Sequence, residues 1–211
     1  MAGYVSEAVI RRLPGYYRHL KELEKEGVTQ ISSQEMGKRM QLTASQIRQD
    51  INCFGGFGRQ GFGYGVTALR EHIGKVLGVD QEKTMVIVGA GNIGRAVALS
   101  DSFLASGFRT TAIFDNAASK VGTTIGSLMV QDIATLARYM EEQPIDICVL
   151  ALPAETAQLI ADELYQLGLR AFWNFVPVDL KLPEDAVIVN VHLEEGLQIL
   201  SYRMLHKDAS K

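Results

Sequence analysis

The residues of this chain whose spacing can do chemistry begin with VGAGNIG, residues 88–94, where Gly89, Gly91 and Gly94 form a GxGxxG pattern. Such glycines let a backbone turn sharply against a diphosphate, and the pattern carries weight only with a strand before it and a helix after it. Both are expected here. TMVIV reads as a buried strand with Val86–Val88 at its heart, and a helical pattern runs from about Asn92 to Ser106. RTTAIFD then reads as a second strand ending in Asp115, 21 residues beyond Gly94. That is where a carboxylate is expected to accept both hydroxyls of an adenosine ribose. The same carboxylate repels a 2′-phosphate, and Asn116 rather than an arginine follows it, so NAD(H) is expected over NADP(H). The pyrophosphate is expected on the backbone of Gly89, Ala90, Gly91, Asn92, Ile93 and Gly94, at a helix N-terminus. Lys120 reads either as a contact to the adenosine side or as a surface lysine.

CFGGFGRQGFGYG, residues 53–65, spells the same pattern with Gly56, Gly58 and Gly61, but it follows a helix. It therefore fails the strand-before, helix-after requirement. Its aromatics, Phe54, Phe57, Phe62 and Tyr64, need burial. Two short strands joined by a turn at Arg59–Gln60–Gly61 fit better, a wing packed on helices. Arg59 and Gln60 then sit at the tip, with Arg59 against phosphate or in a narrow minor groove.

Elements along the rest of the chain must position these groups. Val9, Leu13, Tyr16, Leu20 and Leu23 recur at helical spacing, with a kink or a restart expected at Pro14 and a stop at Gly27. Ser32 with Glu35, and Thr43 with Gln46, form two capping boxes that open two short helices. The first turns Met36 and Met40 inward, the second Ile47, Ile51 and Phe54, with a tight turn at Gln41–Leu42 between them. This describes a helix-turn-helix, or in the plainer alternative a three-helix bundle with a polar face. In the first reading Ser33, Lys38, Thr43, Ser45, Gln46, Arg48 and Gln49 face DNA, Arg48 suiting guanine and a glutamine suiting adenine. Thr67 is expected to cap a further helix that ends at Gly78.

Beyond the glycine loop the pattern alternates strand and helix. A short strand is expected near Leu128–Val130, a helix from about Ile133 and a strand at 146–152. A helix through Ala157–Leu167 and strands at 170–175 and 187–191 follow. This is a doubly wound parallel sheet. Loops after strand ends line the crevice, so Leu152, Pro153, Asn174 and Phe175 are candidate neighbours of the nicotinamide. A last helix, 194–206, either closes this domain or docks on a partner subunit. The expected division is residues 1–80, 81–192 and a C-terminal helix and tail, 193–211.

Charge agrees with two different halves. Residues 1–78 carry 11 Lys and Arg against 7 Asp and Glu, and the remainder 10 against 17, within a formal net charge of −3. A basic half beside an acidic one points the first half at a polyanion. No apolar stretch is long enough for a membrane span, and the N-terminus lacks the apolar core of a signal peptide. Cys53 and Cys148 are far apart and the four histidines scattered, so no metal is expected and a reduced, cytoplasmic setting is. A dehydrogenase needs a substrate pocket and an acid or base beside the nicotinamide. No substrate domain is expected after the nucleotide domain, and only His192 stands near a strand end, so a sensor is favoured over an enzyme.

With these pieces in place the sequence resembles the Rex family of redox-sensing transcriptional repressors over almost its whole length. RLPGYYR, SSQEMGKRM, ASQIRQDINCFGGFGRQGFGYGV, VGAGNIGRA, FDNAASKVG, LPAETAQ and NFVPV carry the resemblance. It implies a homodimer of winged-helix and Rossmann domains bound to an inverted-repeat operator, with NADH lowering DNA affinity and NAD+ competing for the same pocket. It also implies a C-terminal helix exchanged between subunits. The recognition helix reads RQDINCFG where many relatives read RKDLSYFG, so Gln49 replaces a lysine and Cys53 an aromatic. Cys53 is then an oxidisable thiol or a packing residue. The family's switch pairs an arginine, here Arg18, with an aspartate whose position is His192, and a tyrosine near the cofactor appears as Ser100. Either Glu194 or Glu195 replaces that aspartate, or the lock is not used.

Overall fold

The structure is a computed structural model that describes residues 5–55 and 63–206. The chain divides into two compact units, Met1–Gln81 and Glu82–Lys211.

In the first unit α1 (Glu7–Lys25) buries Leu13, Tyr16, Leu20 and Leu23 along one face. Removing each such leucine from water contributes ~1.5–3 kcal/mol. Pro14 lies within α1, about two turns from its start, and the helix runs through it. β1 (Gln30–Ile31) leads into α2 (Ser33–Met40), whose N-cap Ser32 accepts from the Glu35 N–H at 3.1 Å. The turn after α2 depends on Gln41 in the left-handed region (φ 57°) and on Gly37, where a Cβ would stand 2.5 Å from the Leu42 carbonyl oxygen. α3 (Ala44–Asn52) opens on Thr43, whose hydroxyl accepts from the Gln46 N–H at 3.1 Å.

β2 (Tyr64–Gly65) then pairs antiparallel with β1, Ile31 opposite Tyr64. Of the two strands expected inside 53–65, β2 is the described one; the turn at Arg59–Gln60–Gly61 and the stretch just before it lie outside the described residues. The strand at 64–65 finds its partner before α2, because Ile31 and Tyr64 both enter the core there. Arg59 and Gln60 lie outside the described residues. α4 (Val66–Leu77) is capped by Gly65, not by Thr67, whose hydroxyl instead donates to Glu24 at 2.8 Å. Gly78 ends it with φ 68°.

The second unit is a seven-stranded sheet. Its strands are β3 (Lys83–Val88), β4 (Phe108–Asp115), β5 (Thr124–Ile125), β6 (Leu128–Asp132), β7 (Ile147–Leu150), β8 (Ala171–Asn174) and β9 (Val187–Asn190). The order is β5-β6-β4-β3-β7-β8-β9, all parallel except β5. Chain order therefore reverses between β3 and β7, the point where such sheets bind ligands. Val86 and Val88 of β3 pack with Phe114, Leu150 and the helix residues Ala157, Ala161 and Leu164 on one face; Met85 and Ile87 pack with Ile113, Val149 and Val97 on the other. A strand covered on both faces is apolar throughout, as TMVIV is.

The helices are α5 (Asn92–Ala98), α6 (Asp101–Leu104), α7 (Leu136–Glu142) after a 3-10 turn at Ile133–Thr135, α8 (Ala154–Gln166) and α9 (Leu193–Leu205). The single helix expected over 92–106 is broken at Leu99–Ser100, with Ser100 extended (φ −87°, ψ 105°). Ser100, Asp101 and Ser102 are short polar residues that compete for local hydrogen bonds, and the two serine hydroxyls lie 2.7 Å apart.

Candidate nucleotide and nucleic-acid sites

The three glycines after β3 serve three different needs. A Cβ at Gly89 (φ 107°) would stand 2.1 Å from the Ala151 carbonyl oxygen, and one at Gly94 would stand 1.9 Å from that of Gly89. These two let β3, β7 and α5 close on one another. A Cβ at Gly91 would meet nothing within 4 Å, so its bareness leaves room for a ligand to approach the backbone. Gly91 caps α5, and the first-turn N–H groups of Asn92, Ile93 and Gly94 have no partner inside the helix.

Beside this loop lies a cleft of about 520 Å³ at the carboxyl ends of β3, β4 and β7. It brings together Gly89, Gly91, Asp115, Lys120, Leu152 and Pro153 from the expected set, with Asn116 beside Asp115. Ile133, Thr156 and Ile160 are among the further residues of its wall; sequence reasoning missed them, though the places of Ile133 just after β6 and Thr156 at the start of α8 were a usable signal. Asp115 is 6% exposed. Its Oδ1 accepts the Ala117 N–H at 2.9 Å, and its Oδ2 accepts the Ala90 N–H at 2.7 Å and the Lys120 ammonium at 2.9 Å. Burial pushes this carboxyl up, but the hydrogen bonds from Ala117, Lys120 and Ala90 outweigh it, and the group titrates below its ordinary value. Lys120 is thus a partner of Asp115 at the cleft. A carboxylate offers about four acceptor positions, so one remains on Asp115 for a ribose hydroxyl, and a second is available wherever the half-exposed Lys120 gives way.

These residues fit NAD(H). The glycine loop suits a diphosphate, the carboxylate suits a ribose, and Leu152 and Pro153 add apolar surface to the same cleft. Asn174 requires a correction. It is fully buried and its amide is committed: Nδ2 donates to the Val178 carbonyl and to Asn190 Oδ1, both at 2.9 Å, and Oδ1 accepts the Val176 N–H at 3.0 Å. It shapes the loop after β8 and leaves no polar group for a ligand. Phe175 stands outside the cleft, with its ring centroid 4.6 Å from that of Trp173, and its N–H donates to the Leu150 carbonyl at the end of β7.

In the first unit, α3 presents Ser45, Gln49 and Arg48 exposed, with Gln46 half-buried at its N-terminus. Arg48 Nη1 donates to Ser33 Oγ at 3.0 Å, which joins the start of α2 and the middle of α3 into one polar surface. Thr43 and Lys38 are exposed on the same two-helix motif. The side that faces away is fixed by Asp50, 3% exposed, which receives Arg12 through Nε at 2.7 Å and Nη2 at 2.8 Å, and Tyr16 at 2.6 Å. This anchor of α3 on α1 was not foreseen. Arg18 is exposed on α1; Ser100 bridges to Ser102; His192 precedes α9 without capping it through its side chain. Among the described residues no group of histidine, cysteine and carboxylate side chains could hold a metal, and no helix is long and apolar enough to cross a membrane.

Known proteins share both units. The profile of the family "Putative DNA-binding protein N-terminus" matches residues 4–52, and that of "CoA binding domain" residues 80–178. The chain is 47% identical to a redox-sensing transcriptional repressor Rex of Thermoanaerobacter sp. (strain X514), over 98% of this chain and 92% of that one. It is 48% identical to one of Clostridium beijerinckii, over 94% of each. Among solved structures it matches RSP in complex with β-NAD+ and operator DNA, with TM-score 0.91 and 46% identity over 98% of this chain and 95% of that one. It also matches RSP in complex with β-NADH, with TM-score 0.90 and 44% identity over 97% and 96%.

Proposed function

The chain belongs to the Rex family of redox-sensing transcriptional repressors, and from that premise we propose that it represses transcription from operator DNA and releases that DNA when NADH fills the cleft beside Gly91 and Asp115. The observation that carries this is the pairing, in one chain, of a β3–β7 cleft built for a dinucleotide with a helix-turn-helix whose outer face is polar and held in place by Asp50. The dinucleotide is then a signal, not a redox reagent, and the protein acts in the cytoplasm, where NADH and operator DNA meet.

The partner DNA is an inverted repeat read by a homodimer. α9 supports the second copy: Leu193, Leu197, Leu200, Met204 and Leu205 are each more than half exposed. A helix with that much apolar surface needs a cover, and an exchanged α9 of a second copy supplies it. Two recognition helices must then sit about one DNA turn apart, ~34 Å, or a multiple of it. Release follows if NADH binds better to an arrangement that misses that spacing. Leu152 and Pro153 favour the uncharged dihydronicotinamide, because the oxidised ring carries a charge that is costly to bury. His192 stands where the family resemblance implies an aspartate and cannot supply its carboxylate; Glu194 and Glu195, exposed in the first turn of α9, are the carboxylates next to it in the chain.

A duplex carrying an inverted repeat, titrated with the full chain by gel shift, tests the reading. Tight binding that weakens with NADH and survives NAD+ is the expected outcome. Equal affinity in all three conditions overturns it.

A further inference from the structure

Among the described residues of the second unit Asn174 is the polar side chain with no exposure, and its hydrogen bonds run in two directions. Toward its own loop it binds Val176 and Val178. Outside that loop, its Nδ2 donates to Asn190 Oδ1 at 2.9 Å, and its carbonyl accepts the Val191 N–H at 2.8 Å. Asn190 in turn donates through Nδ2 to Asp179 Oδ1 at 3.3 Å. The loop after β8 is therefore fastened to the end of β9 at both of its own ends, through Asn174 and through Asp179. α9 begins three residues after Asn190.

The other acceptors of Asn174 Nδ2 are the Val178 carbonyl at 2.9 Å and the Val176 carbonyl at 3.3 Å, so losing Asn190 exchanges a short hydrogen bond of a buried amide for a long one. A shift of the 175–178 loop therefore carries Asn190 with it more readily than it breaks the bridge. That loop starts at Phe175, tied to the end of β7 beside the cleft, and Asn190 leads into the helix whose exposed apolar face awaits a second copy. We propose that Asn190, bridged to Asn174 and Asp179, is a positioning residue that makes the loop beside the nucleotide cleft and the root of α9 move as one body, and so transmits nucleotide occupancy to the pairing of two copies. This rests on the reading of the cleft as an NADH site that governs operator binding. Asn190 is exposed, so its replacement leaves the core of the unit intact.

The measured quantity is the ratio of operator affinities of the full chain without and with saturating NADH. Coupling between sites of this kind spans roughly 5- to 150-fold. Asn190→Ala is expected to keep NADH affinity and NADH-free operator affinity within about threefold while that ratio falls about tenfold. The double exchange Asn190→Asp with Asp179→Asn keeps the acceptor for Asn174 and reverses the second link, and is expected to restore the ratio. An unchanged ratio in Asn190→Ala overturns the proposal. So does a ratio that falls only in step with NADH affinity or with thermal stability, and so does failure of the double exchange to restore it. If the unaltered chain shows no NADH response, the reading of the cleft fails instead, and the two failures are distinct.

Discussion

Asp50 and Asp115 are the two buried carboxylates among the described residues, one in each unit, and they are built in opposite ways. Asp50 is closed by side chains. Arg12 grips both of its oxygens and Tyr16 adds a third donor, and these two stand four apart on one face of α1. Asp115 is held by two backbone N–H groups that cannot leave and by one lysine that is 42% exposed and can. The first arrangement is a fastener, which keeps α3 seated while its outer face meets a partner. The second is a receptor, already ionised and oriented, with acceptor capacity directed into a cleft. A buried carboxylate alone does not say which it is; the origin of its donors does.

The largest effect expected from breaking this contrast is at Asp50. Asp50→Asn leaves Arg12 and Tyr16 facing a neutral amide, and removing one partner of a buried pair costs about 3–5 kcal/mol when both are fully enclosed. Arg12 is a quarter exposed, so about 2–3 kcal/mol is expected here. Operator binding should collapse while NADH affinity stays within about twofold. Trp173 is the single tryptophan and lies in β8, so its fluorescence follows the second unit alone; circular dichroism follows the helices of both units, and a helix transition that Trp173 does not share belongs to the first. A Trp173 transition that moves as far as the helix signal would show that the fastener is not confined to its unit.

On the receptor side, Gly94 and Gly91 separate packing from access. Gly94→Ala forces a methyl group to within 1.9 Å of the Gly89 carbonyl oxygen, an overpacking worth about 1–3 kcal/mol. Both the Trp173 transition and NADH affinity should fall. Gly91→Ala meets no atom and should leave the Trp173 transition in place while NADH binding weakens. Unchanged NADH affinity in Gly91→Ala would mean that the space above Gly91 is not where the diphosphate lies.

How far these features were legible in the sequence follows from how local their causes are. The glycine loop was readable because its strand, turn and helix are contiguous, and Asp115 because it ends the next strand. The capping boxes at Ser32 and Thr43 were readable because a cap bonds three residues away. The Asp50 anchor joins residues 34 and 38 apart and leaves no periodic trace. β1 is two residues long and exists only because Tyr64 returns to pair with Ile31. The apolar spacing through 92–106 overran a real break, since periodicity does not register the local competition of Ser100, Asp101 and Ser102. Asn174 was read by residue type at a strand end, and only the bonds it makes distinguish a loop organiser from a ligand contact.

A smaller, one-sided effect is expected on the outer face of α3. Arg48→Ala removes a base or phosphate contact worth about 1–3 kcal/mol of operator binding. Its hydrogen bond to Ser33 is on the surface, so stability should change by no more than about 0.5 kcal/mol. NADH affinity should be unaffected. Loss of helix signal together with operator binding would place Arg48 with the Asp50 fastener rather than with the DNA-facing surface.

The smallest effect is the pH dependence of the receptor. The Asp115 carboxyl is pushed up by burial, but the Ala117, Lys120 and Ala90 donors bring it below its ordinary value of 3.8. Its folded-state value is therefore lower than its unfolded one. The stability it contributes is complete above the unfolded value and is lost as pH falls through the folded one, because the unfolded chain takes up the proton first. Asp185, on the surface with Tyr165 and Arg170, is shifted in the same direction, by the Tyr165 hydrogen bond first. Acid titration of the Trp173 transition from about pH 5 downward should thus show a falling stability whose slope is reduced in Asp115→Asn and, separately, in Asp185→Asn. The two can be told apart by salt, which screens the exposed Asp185 pair and leaves the buried Asp115 contribution. An acid slope that Asp115→Asn leaves untouched would mean that its donors hold the carboxylate no better than water does, and that the receptor is not preformed.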